Sequence, residues 1–189
     1  MIDPLVQYDK ELFLFLNNLG TENWDTFWMI ITNKLSSIPL YLLLLILCIK
    51  KLGVKPTLLI IVLVALMITA TDQLANIFKY GFERLRPCHD ETVFSKMRLV
   101  KPYCGGKFGY FSAHAANSFT IATLFSLLFK KYFKWLPFLL IFWALLVAYS
   151  RIYIGVHFPL DVITGICVGL FFGWIFFMLY RIIKDKLVL

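Results

Sequence analysis

Apolar residues run along this chain in long blocks, and polar residues collect between the blocks rather than alternating within them. Blocks near ~20 residues have the length at which a helix crosses the hydrocarbon of a bilayer. The first predicted crossing covers about Trp24 to Ile49, interrupted by Asn33 and Lys34, and stops at Lys50, Lys51 and Gly53. A second covers Thr57 to about Tyr80 and grows polar along its length through Asp72, Gln73 and Asn76. The third runs from Ser112 to Phe129, the fourth from Trp135 to Tyr149, and the fifth from Pro159 to about Tyr180. Residues 4–18 differ: Leu5, Tyr8, Leu12, Phe15 and Leu16 follow a helical repeat with Gln7, Asp9, Lys10 and Glu11 between them. That pattern predicts an amphipathic helix lying in the membrane interface. The expected fold is therefore all-α: a polytopic membrane helix bundle of about five spans plus an N-terminal interfacial helix. It forms a single domain over 1–189, with 1–23 interfacial and 83–111 a long polar loop.

Composition agrees, since 60% of the 189 residues are hydrophobic. The formal net charge of +8 needs no nucleic acid to explain it, because lysines flanking membrane spans are ordinary. Lys50, Lys51, Lys55, Lys130, Lys131, Lys134, Arg181, Lys184 and Lys186 all fall on one side of a five-span arrangement, which makes that side cytoplasmic. The loop 83–111 then faces outward, although it is itself basic. The N-terminus lacks a basic n-region and a small-residue cleavage site, so no cleavable signal peptide is expected. Cys48 and Cys167 lie in apolar blocks and read as buried packing residues. Cys88 and Cys104, sixteen positions apart in an outward loop, are expected to form a disulfide that braces it.

Three polar clusters stand at span ends on the outward side. In KYGFERLRP, Lys79 and Arg86 lie seven residues apart, so a helix continuing through Gly81 would point both cations the same way. Such a pair suits a phosphate, although taken alone two snorkelling side chains at a helix end explain it better. In FSAHAANS, Ser112 is a candidate helix N-cap, which puts Ala113 and His114 in a first turn whose free amides bind anions. In SRIYIGVHFPLD, Arg151, His157 and Asp161 sit between two apolar runs. Ionisable groups at a membrane margin are costly and mark function. Four residues apart on a helix, His157 and Asp161 share a face, and a carboxylate beside an imidazole suits a base, a nucleophile or a metal ligand.

The ordered series K-x6-R-P (Lys79 to Pro87), S-x-H (Ser112 to His114) and S-R-x5-H-x3-D (Ser150 to Asp161) resembles the type 2 phosphatidic acid phosphatase family. That family also contains bacterial undecaprenyl-pyrophosphate and lipid A phosphatases, glucose-6-phosphatase and vanadium haloperoxidases. The resemblance covers roughly residues 56–183. It departs from the family where Phe111-Ser112-Ala113-His114 stands in place of P-S-G-H. It implies metal-free chemistry without a cofactor: His157, oriented by Asp161, attacks phosphorus, and His114 protonates the leaving oxygen and then activates water. Lys79, Arg86, Ser112, Ala113 and Arg151 would hold the phosphate oxygens.

A metal site is disfavoured because the histidines stand among cations. The expected activity is hydrolysis of a lipid phosphate or pyrophosphate drawn laterally from the bilayer. The expected location is a bacterial inner membrane with the site facing the periplasm. Undecaprenyl pyrophosphate is the favoured substrate, with lipid A or phosphatidylglycerophosphate close behind. Lipid-to-lipid phosphate transfer is the near alternative and a small anion transporter the distant one. Three lesser expectations complete the reading. His89 is a solvated side chain, Lys34 and Asp72 form a buried ion pair, and Gly165, Gly169 and Gly173 pack span five closely inside the bundle.

Overall fold

A computed structural model describes residues 2–187. Its helices are α1 (Ile2–Asn18), α2 (Glu22–Thr32), α3 (Ile38–Leu52), α4 (Val54–Phe82), α5 (Glu91–Phe94), α6 (Ala113–Phe129), α7 (Leu136–Tyr153) and α8 (Pro159–Lys186). A 3-10 turn, Lys34–Ser37, leads into α3. Among the described residues, four stretches are long and apolar enough to cross a membrane: Lys34–Leu52, Val54–Phe82, Leu136–Tyr153 and Pro159–Lys186. The shorter apolar α6, with 17 residues, completes a five-helix bundle.

The first crossing starts at Lys34 rather than Trp24. Asn33 is extended and its side chain accepts from the Leu35 amide at 3.0 Å, while Ser36 Oγ donates to the Ile30 carbonyl at 2.5 Å. These side chains satisfy the backbone groups of a break, so α2 ends as a separate short helix against α7. Elsewhere the helices outrun the apolar blocks: α7 extends through Arg151 to Tyr153, and α8 continues through the basic tail.

At the centre of the bundle, α6 is buried on nearly every side, its small and apolar residues being spread all around the helix. Its closest partner is α8, and the approach depends on the glycine row. A Cβ at Gly165 would lie 2.5 Å from the Ser112 carbonyl oxygen, and one at Gly173 would lie 2.6 Å from Thr123 Cβ. Gly169 meets the Ala116 carbonyl in the same way. Cys48 is buried in the core, whereas Cys167 is exposed on the outer face of α8. An apolar exterior explains this: side chains such as Leu58, Val62 and Leu66 are also exposed, in a stripe along α4.

Helix α1 is amphipathic in an unexpected sense. Its inward face is Asp9, Phe13 and Asn17, all buried, while Leu5, Tyr8, Leu12 and Phe15 are exposed. Asn17 Nδ2 donates to the carbonyls of Arg98, Ile152 and Tyr153 at 2.9–3.1 Å, and its Oδ1 accepts from the Arg98 amide at 2.7 Å. One carboxamide thus ties α1, the long loop and the end of α7 together.

Candidate active site

The ends of α4, α7, the start of α6 and the turn before α8 meet around the mouth of one cavity of about 700 Å³. Lys79, Arg86, Ala113, His114, Arg151 and His157 line its polar end. From there it runs down between α3, α4 and α6 past Ile68, Val64, Ile60 and Leu44 to Cys48 and Thr57, close to the α3–α4 turn.

Arg86 reaches this place by a different route from the helical one. Glu83 adopts a left-handed conformation (φ 49°), which ends α4 at Phe82. The chain then extends and pairs with residues 107–109: the Arg86 amide donates to the Lys107 carbonyl at 3.1 Å, and the Gly109 amide to the Arg84 carbonyl at 2.8 Å. Arg86 Nε donates to the Phe108 carbonyl at 3.1 Å, leaving the fork free toward the cavity. Burial lowers the Arg86 pKa, Asp161 raising it only in part.

His157 stands outside α8, before its N-cap Phe158, so the shared-face argument for His157 and Asp161 does not hold. Gly155 (φ 82°) turns the chain there, and a side chain at this position would meet the Arg98 carbonyl oxygen 2.6 Å away. The turn nevertheless brings His157 Nδ1 to 3.5 Å from Asp161 Oδ2. Burial first, and then the charges of Arg86, Arg151 and Lys79, hold the imidazole well below the ordinary histidine range, so it is neutral at neutral pH.

Asp161 lies behind His157 rather than in the cavity wall. Its Oδ2 accepts from the Phe158 amide at 3.0 Å, its Oδ1 takes Arg84 Nη1 at 2.6 Å, and its carbonyl accepts the Ser112 amide at 2.9 Å. The last bond joins the starts of α8 and α6 and so sets His114 relative to His157. Arg84 is the residue the sequence reading missed. It also pairs with the buried Asp9 of α1, whose other oxygen accepts from the Leu160 amide at 2.9 Å, and its guanidinium lies over the Phe158 ring at 4.7 Å. The spacing of Asp9, Phe13 and Asn17 at i, i+4 and i+8 was the available signal for an inward polar face on α1.

Two expectations of contact fail. Ser112 is fully buried, with Oγ capping α6 at the Ala115 amide (3.5 Å), and it does not line the cavity. Lys34 and Asp72 line the cavity without pairing, since Lys34 is exposed and Asp72 instead accepts from Asn117 Nδ2 at 2.8 Å. Arg151 Nη1 donates to Thr32 Oγ1, so the end of α2 orients this guanidinium. In the long loop Cys88 and Cys104 are joined as a disulfide (Cα–Cα 6.0 Å) beside the exposed His89. The three could hold a metal by position, but sulfurs bonded to each other are not thiolate ligands.

Comparison with known proteins extends the picture beyond the motifs. Residues 57–184 match the model of the PAP2 superfamily. The chain is 36% identical over 189 residues to a lipid A 4'-phosphatase of Bacteroides thetaiotaomicron, covering 99% of this chain and 83% of that one. It is 34% identical to a lipid A 4'-phosphatase of Porphyromonas gingivalis, covering 98% and 78%. An undecaprenyl-diphosphatase of Sulfolobus acidocaldarius is 37% identical over 109 residues, covering 58% and 48%. The crystal structure of Aquifex aeolicus LpxE superposes with a TM-score of 0.67 at 31% identity, covering 88% of this chain and 92% of that one. The Bacillus subtilis PAP2-type phosphatidylglycerolphosphate phosphatase gives 0.71 at 20% identity, a likeness of fold. With motifs, bundle and comparisons in agreement, this chain belongs to the PAP2 superfamily and is an integral membrane phosphatase.

Proposed function

We propose that the chain hydrolyses a phosphate monoester on a lipid A-type glycolipid. The observation that carries a lipid substrate is one continuous cavity, cationic and histidine-bearing at one end and aliphatic along the rest. A lipid phosphate has that same division. The choice of glycolipid over undecaprenyl pyrophosphate rests on the two relatives that align over nearly the whole chain, against a shorter alignment for the diphosphatase.

In this mechanism Lys79, Arg86, Arg151 and the first amides of α6 hold the phosphoryl oxygens, where preorganised donors lower the barrier. His157 Nε2 attacks phosphorus, the phosphorus–oxygen bond to the lipid breaks, and His114 gives its proton to the leaving oxygen. Water then attacks the phosphohistidine, His114 takes the water's proton, and the phosphorus–nitrogen bond breaks to release inorganic phosphate. Asp161, held by Arg84, steadies the imidazole and balances its charge. Helix α1 lies in the outer interface, the loop 83–111 faces the periplasm, and the lysine-rich turns face the cytoplasm of an inner membrane.

The test is phosphate release by detergent-purified protein in excess chelator from lipid A, undecaprenyl pyrophosphate, phosphatidylglycerophosphate and phosphatidic acid. Lipid A should be preferred, and His157→Ala should reduce release by about a thousandfold or more. Chelator-sensitive release, or an unaffected His157→Ala protein, would overturn the mechanism. Preference for undecaprenyl pyrophosphate would overturn the substrate.

A further inference from the structure

The chemistry above uses only the outer end of the cavity, yet the walls stay polar below it. Asp72, Asn76 and Lys79 occupy positions i, i+4 and i+7 of α4, and all three line the cavity. Asn117 lines it from α6, three residues after His114 and therefore one turn deeper. Asn33 and Lys34 line it from the break between α2 and α3. Within this group Asn117 donates to Asp72 and accepts from Thr71 Oγ1. Among the described residues that is the one hydrogen bond made by the Asp72 carboxylate, and the side chains of Asn76 and Lys34 make none. Polar capacity therefore remains open on both sides of the cavity.

We propose that Asp72, Asn76 and Asn117, faced by Lys34, form a headgroup subsite for the hydroxyls and amides of a sugar that carries the scissile phosphate. This rests on the glycolipid reading above and assigns residues to it. Seven residues of helix separate Asp72 from Lys79 by ~10 Å, room for a sugar held between the phosphate and the aliphatic part of the cavity. A carboxylate accepts from vicinal hydroxyls, and carboxamides serve both donors and acceptors on a sugar ring. A polyprenyl diphosphate fits this depth badly. Its hydrocarbon would lie against these polar side chains and leave them without partners.

Two measurements test the subsite. In the first, kcat/KM of wild type, Asp72→Asn and Asn76→Leu is compared on lipid A and on phosphatidic acid, a phosphate monoester with acyl chains and no sugar. Asp72→Asn should lower the lipid A to phosphatidic acid ratio about tenfold and Asn76→Leu about threefold, chiefly through KM, as expected for one hydrogen bond to a charged and to a neutral group respectively. In the second, glucosamine phosphate and inorganic phosphate compete against lipid A turnover. The sugar phosphate should compete about tenfold better with wild type, an advantage lost in the isosteric Asp72→Asn. Equal losses on both lipids, or equal competition by both phosphates, would reduce the cluster to a structural link between α4 and α6 and overturn the subsite. Wild type inactive on lipid A but active on another lipid would instead remove the glycolipid reading itself.

Discussion

At the scale of single residues, the proposed chemistry depends on keeping His157 neutral. Burial and three nearby cations lower its pKa, so as pH falls the proposed nucleophile persists below the ordinary histidine value before it is protonated. The acid limb of kcat/KM for the free enzyme should therefore lie below pH ~6.5, the unperturbed value. An acid limb centred above that value would contradict the environment described here. Arg84 is the second residue to probe. Its removal leaves Asp9 and Asp161 buried without their shared cation, and breaking a buried pair from one side costs ~3–5 kcal/mol. Because the Arg84 side chain is 19% exposed, a loss of about 2–3 kcal/mol is the reasonable expectation for Arg84→Gln. Thermal unfolding in detergent measures this, and Arg84→Lys should recover part of it. Arg84 could not be picked out from spacing, because both its partners come from distant parts of the chain.

At the scale of elements, the α6–α8 contact and the α1 clamp are the joints that position the catalytic ends. Gly165 meets the carbonyl that begins α6, so Gly165→Val must push the two helices apart. It should lower stability by about 1–3 kcal/mol and reduce turnover, whereas Leu170→Ala, on the exposed face, should do neither. Asn17→Ala leaves three carbonyls and the Arg98 amide short of a partner and should cost about 1–3 kcal/mol. Unfolding midpoints of the two variants check both values. The glycine row was legible because small residues at every fourth position allow close approach wherever the partner helix lies. The clamp was not. Asp9 reads as one charge among several on a surface helix until the loop and the start of α8 are brought against it.

For the whole molecule, the basic turns form one pole. Tyr132 Oη reaches the Lys51 carbonyl at 3.5 Å, so the α3–α4 and α6–α7 turns lie side by side, with the cavity mouth at the opposite pole. If the basic pole is cytoplasmic, a cysteine at Lys131 should resist a membrane-impermeant thiol reagent in intact cells. One at the exposed Gly106 should react, in a protein with Cys48 and Cys167 replaced. The reverse labelling would invert the orientation.

The sequence by itself determined the number of crossings and the order of their ends, because a bilayer demands long apolar runs and tolerates lysines only at their margins. It also determined which polar side chains stand together at the span ends opposite the basic turns. Tertiary structure decided how those side chains meet. Lys79 and Arg86 converge through a left-handed residue and a short paired ribbon, not one helix face. His157 and Asp161 meet across a turn and an N-cap, and Asp72 turns to Asn117 instead of Lys34. Local periodicity reports the face of a helix. The partner that face finds depends on where the chain breaks, and on which buried polar group most needs a hydrogen bond once water is gone.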